Sequence, residues 1–276
     1  MKNSVMLGSI SYPEFSGKKA FLQNLESIES TIKNLDYDCT QFTTSWQNLD
    51  TAKASIQTVV KSIFLHCWFE TEIYNGKNKT WYFVKNLLKT CARVIKDLAG
   101  LTSEEFHKKH IRDQSRIKYI TDKHLRIIGH FLDSDSEYLL VCEDDIVLDT
   151  NPEVYLQEVL QIAELHQHPL FITICNNSSY SKVSNHFGGR IENYPGGASN
   201  FWVKIDFFVN GCAMYFLNRE MAALINDFVV QRPIYRKCAI DWLLSLIGRK
   251  FDSKDTTCLI PRENYVGNGS REKTME

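Results

Sequence analysis

Several motifs that identify common enzyme classes are missing from this sequence of 276 residues. It contains no GxGxxG, GxxxxGK[ST] or GxSxG stretch, which removes the motif support for a dinucleotide oxidoreductase, a P-loop enzyme or a serine hydrolase. Its histidines form no ligand spacing such as HExxH, and its cysteines include no CxxC pair, so zinc-site spacing is absent. The chemistry must be sought in other residue types.

Long apolar runs and a surplus of one charge are lacking as well. No window reaches the roughly 18 uninterrupted apolar residues that a bilayer span requires, and the N-terminal stretch MKNSVMLGSISYPEF lacks the features of a secretory signal. The net charge of -1 gives no reason to expect a nucleic-acid partner. Cysteines inside apolar strings such as FITIC are typical of free thiols in a reducing cytoplasm. We therefore expect a cytoplasmic protein, soluble or at most peripheral to a membrane.

Glycine and proline are sparse, at 13 and 6 residues, while 43% of the residues are hydrophobic, as in a folded globular protein. The strand pattern SVMLGSISY, a helical spacing of apolar residues over 18–35 and the strand pattern DCTQFTTSW open the chain as an α/β fold. We predict a single domain of two abutting lobes, residues 1–150 and 151–276. A polar, glycine-rich stretch predicts a mobile loop at 176–200, and a polar tail ends the chain.

The stretch YLLVCEDDIVL, residues 138–148, places three acidic residues between apolar runs. If the segment is extended, Glu143 and Asp145 point to one face and Asp144 to the other. Carboxylates that converge at the end of a buried strand repel one another unless a cation compensates them, and hard oxygen ligands suit Mn²⁺ or Mg²⁺. The alternative is an acidic turn with solvated carboxylates, which is how we interpret the earlier DSDSE at 133–137.

The acidic stretch resembles the aspartate-x-aspartate segment of GT-A fold glycosyltransferases, and most closely its glutamate-aspartate-aspartate version in glycosyltransferase family 25. NGCAMYFLNREMAALI and PIYRKCAIDWLLS are similar to that family's later segments, and GSISYPE with NLESIEST looks like a nucleotide-binding start. The resemblance implies a Rossmann-like α/β fold of GT-A type, with a mixed sheet flanked by helices. It also implies that Glu143 and Asp145 hold the metal, while Ser11, Tyr12 and Asp144 contact the nucleotide sugar.

The sequence departs from the GT-A pattern in one respect. Many GT-A enzymes supply a late histidine to the metal, but no histidine follows His186 here. Asn264, Asn268 or Ser270 in the polar tail, or water, would then complete the metal's ligands.

Asp241 is the only acid in the apolar helical run CAIDWLLSLIG. A buried carboxylate has a raised pKa and can act as a general base, and the resemblance points to the same position as the catalytic base. The alternative, of equal weight, is an aspartate that caps the helix or pairs with Arg236 or Lys237.

The segment HKKHIRDQSRIKYITDKHLR is locally basic. In a helix, Lys108, Arg112 and Arg116 share one face. Arg116 and Lys123 lie nearest the acidic stretch in sequence and are our candidates to contact a nucleotide diphosphate or an anionic lipid-linked acceptor. A solvated charged face is the alternative.

Together these features predict a metal-dependent glycosyltransferase that moves a hexose from a nucleotide diphosphate sugar, a UDP-sugar by preference, to a glycan or lipid-linked glycan. The resemblance implies inversion and a bacterial surface glycan as acceptor: lipopolysaccharide, lipooligosaccharide or capsule. Residues 1–150 would bind the donor and residues 151–276 the acceptor. The alternatives are a metal-dependent nucleotidyltransferase or phosphatase, and a non-catalytic glycan-binding protein of the same fold.

Overall fold

A central β-sheet with helices on both faces organises the protein, as seen in a computed structural model. The structure describes residues 3–11, 18–45, 56–74, 77–107, 113–148, 151–174, 191–194, 202–205, 213–251, 256–261 and 266–268. The strands are β1 (Ser4–Ser11), β2 (Asp38–Ser45), β3 (Tyr138–Glu143), β4 (Ile146–Leu148), β5 (Leu170–Thr173), β6 (Ile191–Asn193), β7 (Trp202–Ile205), β8 (Met214–Asn218), β9 (Thr257–Pro261) and β10 (Val266–Asn268). The helices are α1 (Lys18–Asn34), α2 (Ile56–Ile73), α3 (Lys79–Gly100), α4 (Ser103–His107), α5 (Asp113–Leu132), α6 (Pro152–Leu165), α7 (Arg219–Gln231), a short 3-10 helix (Pro233–Lys237) and α8 (Ile240–Lys250).

The main sheet has eight strands in the order β2-β1-β3-β8-β5-β9-β7-β6. Strands β2, β1 and β3 are parallel, β8 runs antiparallel to both of its neighbours, and β5 and β9 are again parallel. A second, two-stranded sheet pairs β4 with β10. The predicted fold class, an α/β fold with a mixed sheet flanked by helices, is confirmed. Residues 1–150 supply β2-β1-β3 and the later residues supply the rest of the main sheet, while the functional roles of the two lobes stay predictions.

The side chains of β3 alternate between two apolar clusters, one on each face of the sheet. Leu139 and Val141 join α5, α7 and α8 on one face, whereas Leu140 and Cys142 join α1 and α6 on the other. Because β3 is covered on both sides, it reads as a continuous apolar run in the sequence.

The helix α5 lies unusually close to the sheet at Gly8 of β1. A Cβ atom at this position would lie 2.5 Å from Cγ2 of Ile127, which is closer than side-chain packing allows. The absence of a side chain at Gly8 therefore permits the close approach of α5, the helix that carries part of the site described below.

Arg219 of α7 organises the turn that links α5 to β3. Its guanidinium donates to the carbonyl oxygens of Leu132 at 3.0 Å and Ser134 at 2.6 Å, and also to that of Ser136. The acidic side chains of this 133–137 turn are exposed, as the sequence predicts. The turn is thus solvated on its outer side and fixed by a charged donor on its inner side.

Three further sequence predictions can be compared with the structure. The stretch 176–200 was expected to be loop, but residues 191–193 form β6, which pairs with β7. Residues 176–190 and 195–200, like the tail beyond residue 268, lie outside the described residues. Within the described residues, six cysteines are free thiols, as expected. None of the described helices combines the length and the apolar character needed to traverse a bilayer.

Candidate functional site

One edge of the main sheet carries Ser11 and the acidic stretch, two of the features that the sequence singled out. Because β1, β2 and β3 are parallel, their carboxyl ends meet there: Ser11 is opposite Ser45, and Ile10 is opposite Glu143. Strand β8 starts at the same edge, where the backbone N–H of Glu143 donates to the carbonyl oxygen of Ala213 at 2.7 Å. Ligands of open α/β sheets bind outside the carboxyl ends of the strands, so this edge is the candidate site.

The acidic stretch is part strand and part turn. Strand β3 ends at Glu143, and Asp144 and Asp145 form the turn that leads into β4. The strand alternation expected across all three residues therefore stops at Glu143, because a turn does not alternate its side chains. All three residues are partly buried, and the Oδ1 atom of Asp145 is sealed from solvent. The segment is a turn, as the alternative interpretation had it, but its carboxylates are not simply solvated.

Glu143 is held by a buried histidine that the sequence analysis did not select. His124 of α5 is fully buried, with its Nε2 atom 3.0 Å from Oε1 of Glu143 and its Nδ1 atom 2.9 Å from the Tyr215 hydroxyl. Both ring nitrogens of an imidazole can take part in hydrogen bonds, so His124 links Glu143 to the Tyr215 hydroxyl. This chain fixes the direction of the glutamate side chain and leaves its second oxygen for another partner.

Asp241 lies in the first turn of α8, close enough to this pair to be affected by its charges. Burial raises the pKa of Asp241 from its ordinary value of 3.8 to about 6; a hydrogen bond from the Trp242 N–H at 2.9 Å opposes the rise, and the negative charge of Glu143 adds to it. The charged side chains that act on this carboxyl are Glu143 and His124, not Arg236 or Lys237. A carboxyl with a pKa near neutrality is suited to accept a proton.

The oxygen donors of the edge suit a hard divalent cation. Glu143 keeps one carboxylate oxygen that His124 does not use, and Asp144 and Asp145 follow it directly. Among the residues that the structure describes, no three acidic, histidine or cysteine side chains form a metal cluster. A cation here would thus take its other ligands from water, from a substrate diphosphate, as Mg²⁺ commonly does, or from elsewhere in the chain.

The C-terminal segment returns to the acidic turn. Strand β10 pairs with β4 so that Asn268 is opposite Ile146, the residue after Asp145. Of the three tail residues considered as metal ligands, Asn268 is therefore placed beside the turn, whereas Asn264 and Ser270 lie outside the described residues.

The structure describes only some of the residues that were predicted to contact the nucleotide. Ser11 ends β1 at the site edge and is partly buried, while Tyr12 lies outside the described residues. Arg116 belongs to α5, but its side chain is not described. Lys123, next to His124 on α5, places its ammonium 4.8 Å from the ring centre of Tyr119. The nucleotide-binding roles of these residues stay predictions.

His124 and Tyr215 are the site residues that sequence reasoning missed. His124 falls on the same helical stripe as the buried Ile127, Ile128 and Phe131, and a polar side chain on an apolar stripe is a signal of a buried hydrogen bond. Tyr215 faces it from β8, a strand whose position beside β3 no local pattern reveals.

Comparisons with known proteins add little to this geometry. No protein-family model matches the chain, and no curated protein matches it. Among solved structures, the chain is similar to the "Crystal structure of a glycosyltransferase involved in the glycosylation of the major capsid of PBCV-1", with 9% sequence identity, a TM-score of 0.25, and coverage of 83% of this chain and 68% of that chain. A likeness at this level carries no argument, so the functional conclusion rests on the site.

Proposed function

We propose that the protein is a glycosyltransferase that uses a nucleotide diphosphate sugar as donor. One observation carries the proposal: the partly buried carboxylates of Glu143, Asp144 and Asp145 lie at the edge where parallel strands end, and the charge of Glu143 acts on the raised-pKa carboxyl of Asp241. The first group provides hard oxygen ligands for a cation beside a diphosphate, and the second provides a base for an incoming hydroxyl.

Asp241 accepts the proton of the acceptor hydroxyl in this proposal. The hydroxyl oxygen forms a bond to the anomeric carbon of the donor sugar while the bond from that carbon to the diphosphate oxygen breaks, and the diphosphate leaves with the electron pair. Attack opposite the leaving group inverts the anomeric carbon, in agreement with the resemblance to family 25. Asp145 and Glu143 would hold Mn²⁺ or Mg²⁺, which supplies positive charge beside the departing diphosphate.

Asp144, Ser11 and Tyr12 would contact the nucleotide sugar in this proposal, and Arg116 and Lys123 would meet anionic groups of donor or acceptor. We also propose a UDP-hexose as donor and a glycan or lipid-linked glycan as acceptor, within lipopolysaccharide, lipooligosaccharide or capsule synthesis in the cytoplasm. The roles of Arg116 and Lys123 rest on the basic character of their segment and the cytoplasmic location on the cysteine usage, while the other finer assignments rest on the sequence resemblance.

A thermal-shift screen of nucleotide sugars, with and without Mn²⁺, tests the proposal. A ligand that binds the native state raises the melting temperature by mass action, so UDP-glucose or UDP-galactose is expected to stabilise the protein only when the metal is present. Indifference to every nucleotide sugar would contradict the proposal. Metal-dependent hydrolysis of simple phosphate esters, with no sugar transfer, would instead favour the phosphatase alternative.

A further inference from the structure

The helix α3 exposes a continuous apolar stripe. Trp81, Leu88 and Ile95 are 63%, 64% and 66% exposed, respectively, and Val84 and Leu98 lie on the same stripe and are exposed as well. Their spacing of three and four residues follows one face of a helix with about 3.6 residues per turn. The helix has 22 residues, which gives a length of about 33 Å at about 1.5 Å per residue. Isolated exposed apolar residues are ordinary, but a stripe of this length is not.

This stripe is not the face by which α3 packs on the protein. That face carries Val94, which is buried against Ile63 and Phe106, and Thr90, whose hydroxyl oxygen lies 3.7 Å from the Cys67 thiol of α2. Leu88 and Ile95 project from the other side of the helix. The stripe is therefore a second apolar face of α3, separate from the face that packs on the rest of the protein.

A band of positive charge borders the stripe. Lys85, Lys89, Arg93 and Lys96 are all exposed and, at helical spacing, adjoin the apolar residues on one side. The helix carries five basic residues and one acidic residue, Asp97, which is partly buried. The outer surface of α3 thus combines apolar area with cationic side chains.

We propose that α3 docks the protein onto the surface of an anionic lipid bilayer, lying in the interface plane. Amphipathic helices that bind in this manner have an apolar face with aromatic or leucine residues and a polar face rich in lysine and arginine. Trp81 and Leu88 would enter the headgroup region, and Lys89 and Arg93 would meet the lipid phosphates.

Charge favours a bilayer over a second copy of the chain. In a twofold dimer built on α3, the same surface would face itself, and the basic side chains of the two copies, among them Lys85, Lys89 and Arg93, would come together. Like charges at an interface oppose association. A bilayer with anionic headgroups complements the same surface instead.

The docking surface is one helix away from the candidate site. Helix α2 lies between α3 and α8, and its His66 ring is 4.7 Å from the ring of Trp242, the neighbour of Asp241. Docking through α3 would hold the site near the bilayer, where a lipid-linked molecule is found. The inference goes beyond the proposed function, because vesicle binding requires neither donor nor activity.

Sedimentation of the full-length protein with vesicles tests the docking directly. We expect binding to vesicles of phosphatidylcholine and phosphatidylglycerol, little binding to phosphatidylcholine alone, and weaker binding as salt rises. The fluorescence emission of the wild type is expected to shift to the blue on anionic vesicles, and Trp81→Phe should lose most of that shift because Trp81 is the residue placed in the interface.

Two sets of substitutions separate the charged and the apolar contributions. Lys85→Gln, Lys89→Gln and Arg93→Gln together should weaken partition by about 100-fold, since each basic residue near an anionic surface contributes about fivefold. Leu88→Gln with Ile95→Gln should weaken it by about tenfold or more. These side chains are exposed, so folding should be unaffected.

Matched controls replace exposed basic or apolar side chains on surfaces other than α3. They are Lys19→Gln with Arg236→Gln and Lys237→Gln for charge, and Leu165→Gln with Val230→Gln for apolar exposure. Vesicle binding should survive in both control sets. Equal binding to both vesicle types, no binding at all, or binding that the α3 variants leave unchanged would overturn the proposal. A dimer in solution that Leu88→Gln with Ile95→Gln dissolves would also overturn it, because the stripe would then join two copies.

Discussion

The Asp241 carboxyl has a raised pKa because α8 begins in a partly buried position beside Glu143. The sequence indicated a lone acid in an apolar run, but it could not distinguish a base from a capping residue. The local sequence could not show this environment, because the charged groups that act on the carboxyl, Glu143 and His124, come from distant parts of the chain. The role of Asp241 as a base stays a prediction.

The pH dependence of stability is the first test of this environment. The folded-state pKa of Asp241 is raised from 3.8 to about 6, so the folded protein holds this proton more tightly than the unfolded chain does. The free energy of unfolding should therefore fall as pH rises from about 4 to about 6, by on the order of 2 to 3 kcal/mol at about 1.4 kcal/mol per pKa unit. Denaturant unfolding without metal should show this decline in the wild type and not in Asp241→Asn. Parallel curves for the two proteins would show that the carboxyl is not perturbed.

Activity provides a second test of Asp241. If it accepts the acceptor proton, Asp241→Asn should lower kcat for sugar transfer by about 10² to 10⁴, while the affinity for the nucleotide sugar changes little. Steady-state transfer with calorimetric donor binding separates the two effects. The exposed Asp227 of α7 offers the matched control, Asp227→Asn, which should retain full activity. Full activity of Asp241→Asn would show that Asp241 does not act as the base.

His124 is expected to act by positioning Glu143. Residues that hydrogen-bond a metal ligand typically change metal affinity by about 10- to 100-fold when mutated, so His124→Asn should weaken Mn²⁺ binding by about that factor, and Tyr215→Phe by less. Manganese titration followed by electron paramagnetic resonance measures this without catalysis. The same substitution at His130, exposed on the same helix and stacked on Phe42, is the control. Unchanged manganese affinity in His124→Asn would show that His124 does not position a metal ligand.

At the scale of elements, local patterns predicted the long segments and missed the short ones. The periodic apolar residues of α1 and the apolar runs of α8 and β3 were readable because burial on a regular element repeats in the sequence. Strands β4, β6 and β10 have three residues each, too few for a period, and their pairing depends on distant partners. The placement of Asn268 beside the acidic turn was therefore available only from the fold.

Arg219 shows how one side chain fixes an element boundary. Its hydrogen bonds to the carbonyls of Leu132, Ser134 and Ser136 set where α5 ends and β3 begins. Charge-assisted hydrogen bonds contribute about 1.5 to 3 kcal/mol each, so Arg219→Ala should lower the free energy of unfolding by about 3 kcal/mol or more. Urea denaturation measures it. Arg232→Ala, which removes an exposed arginine that stacks on Phe228 at the other end of α7, should cost about 1 kcal/mol or less. Equal losses of unfolding free energy in the two variants would show that the hydrogen bonds from Arg219 to the carbonyls stabilise the fold no more than a surface stacking contact does.

At the scale of the molecule, the site lies where the two halves of the sheet meet. Strand β3, the last strand that the first half adds to the main sheet, ends in the acidic turn, and β8 of the second half pairs directly with it. The sequence predicted the α/β class and singled out the acidic stretch, but the proximity of Glu143, His124 and Asp241 depends on the sheet order and on the packing of α5 and α8. Helix α3, which is separated from α8 by α2, carries the surface that we propose for lipid docking.

The most direct test of the central claim is calorimetric titration of UDP-glucose and UDP-galactose into the wild type and into Asp145→Asn, with Mn²⁺ and with a chelator. Binding by the wild type is expected to require Mn²⁺, and the variant should bind at least about tenfold more weakly, because the neutral amide is a poorer ligand for a hard cation. Asp135→Asn, which changes an exposed aspartate in the preceding turn, should bind like the wild type. Nucleotide-sugar binding that is equally tight in chelator and in Asp145→Asn would show that the acidic stretch does not hold a metal for the donor.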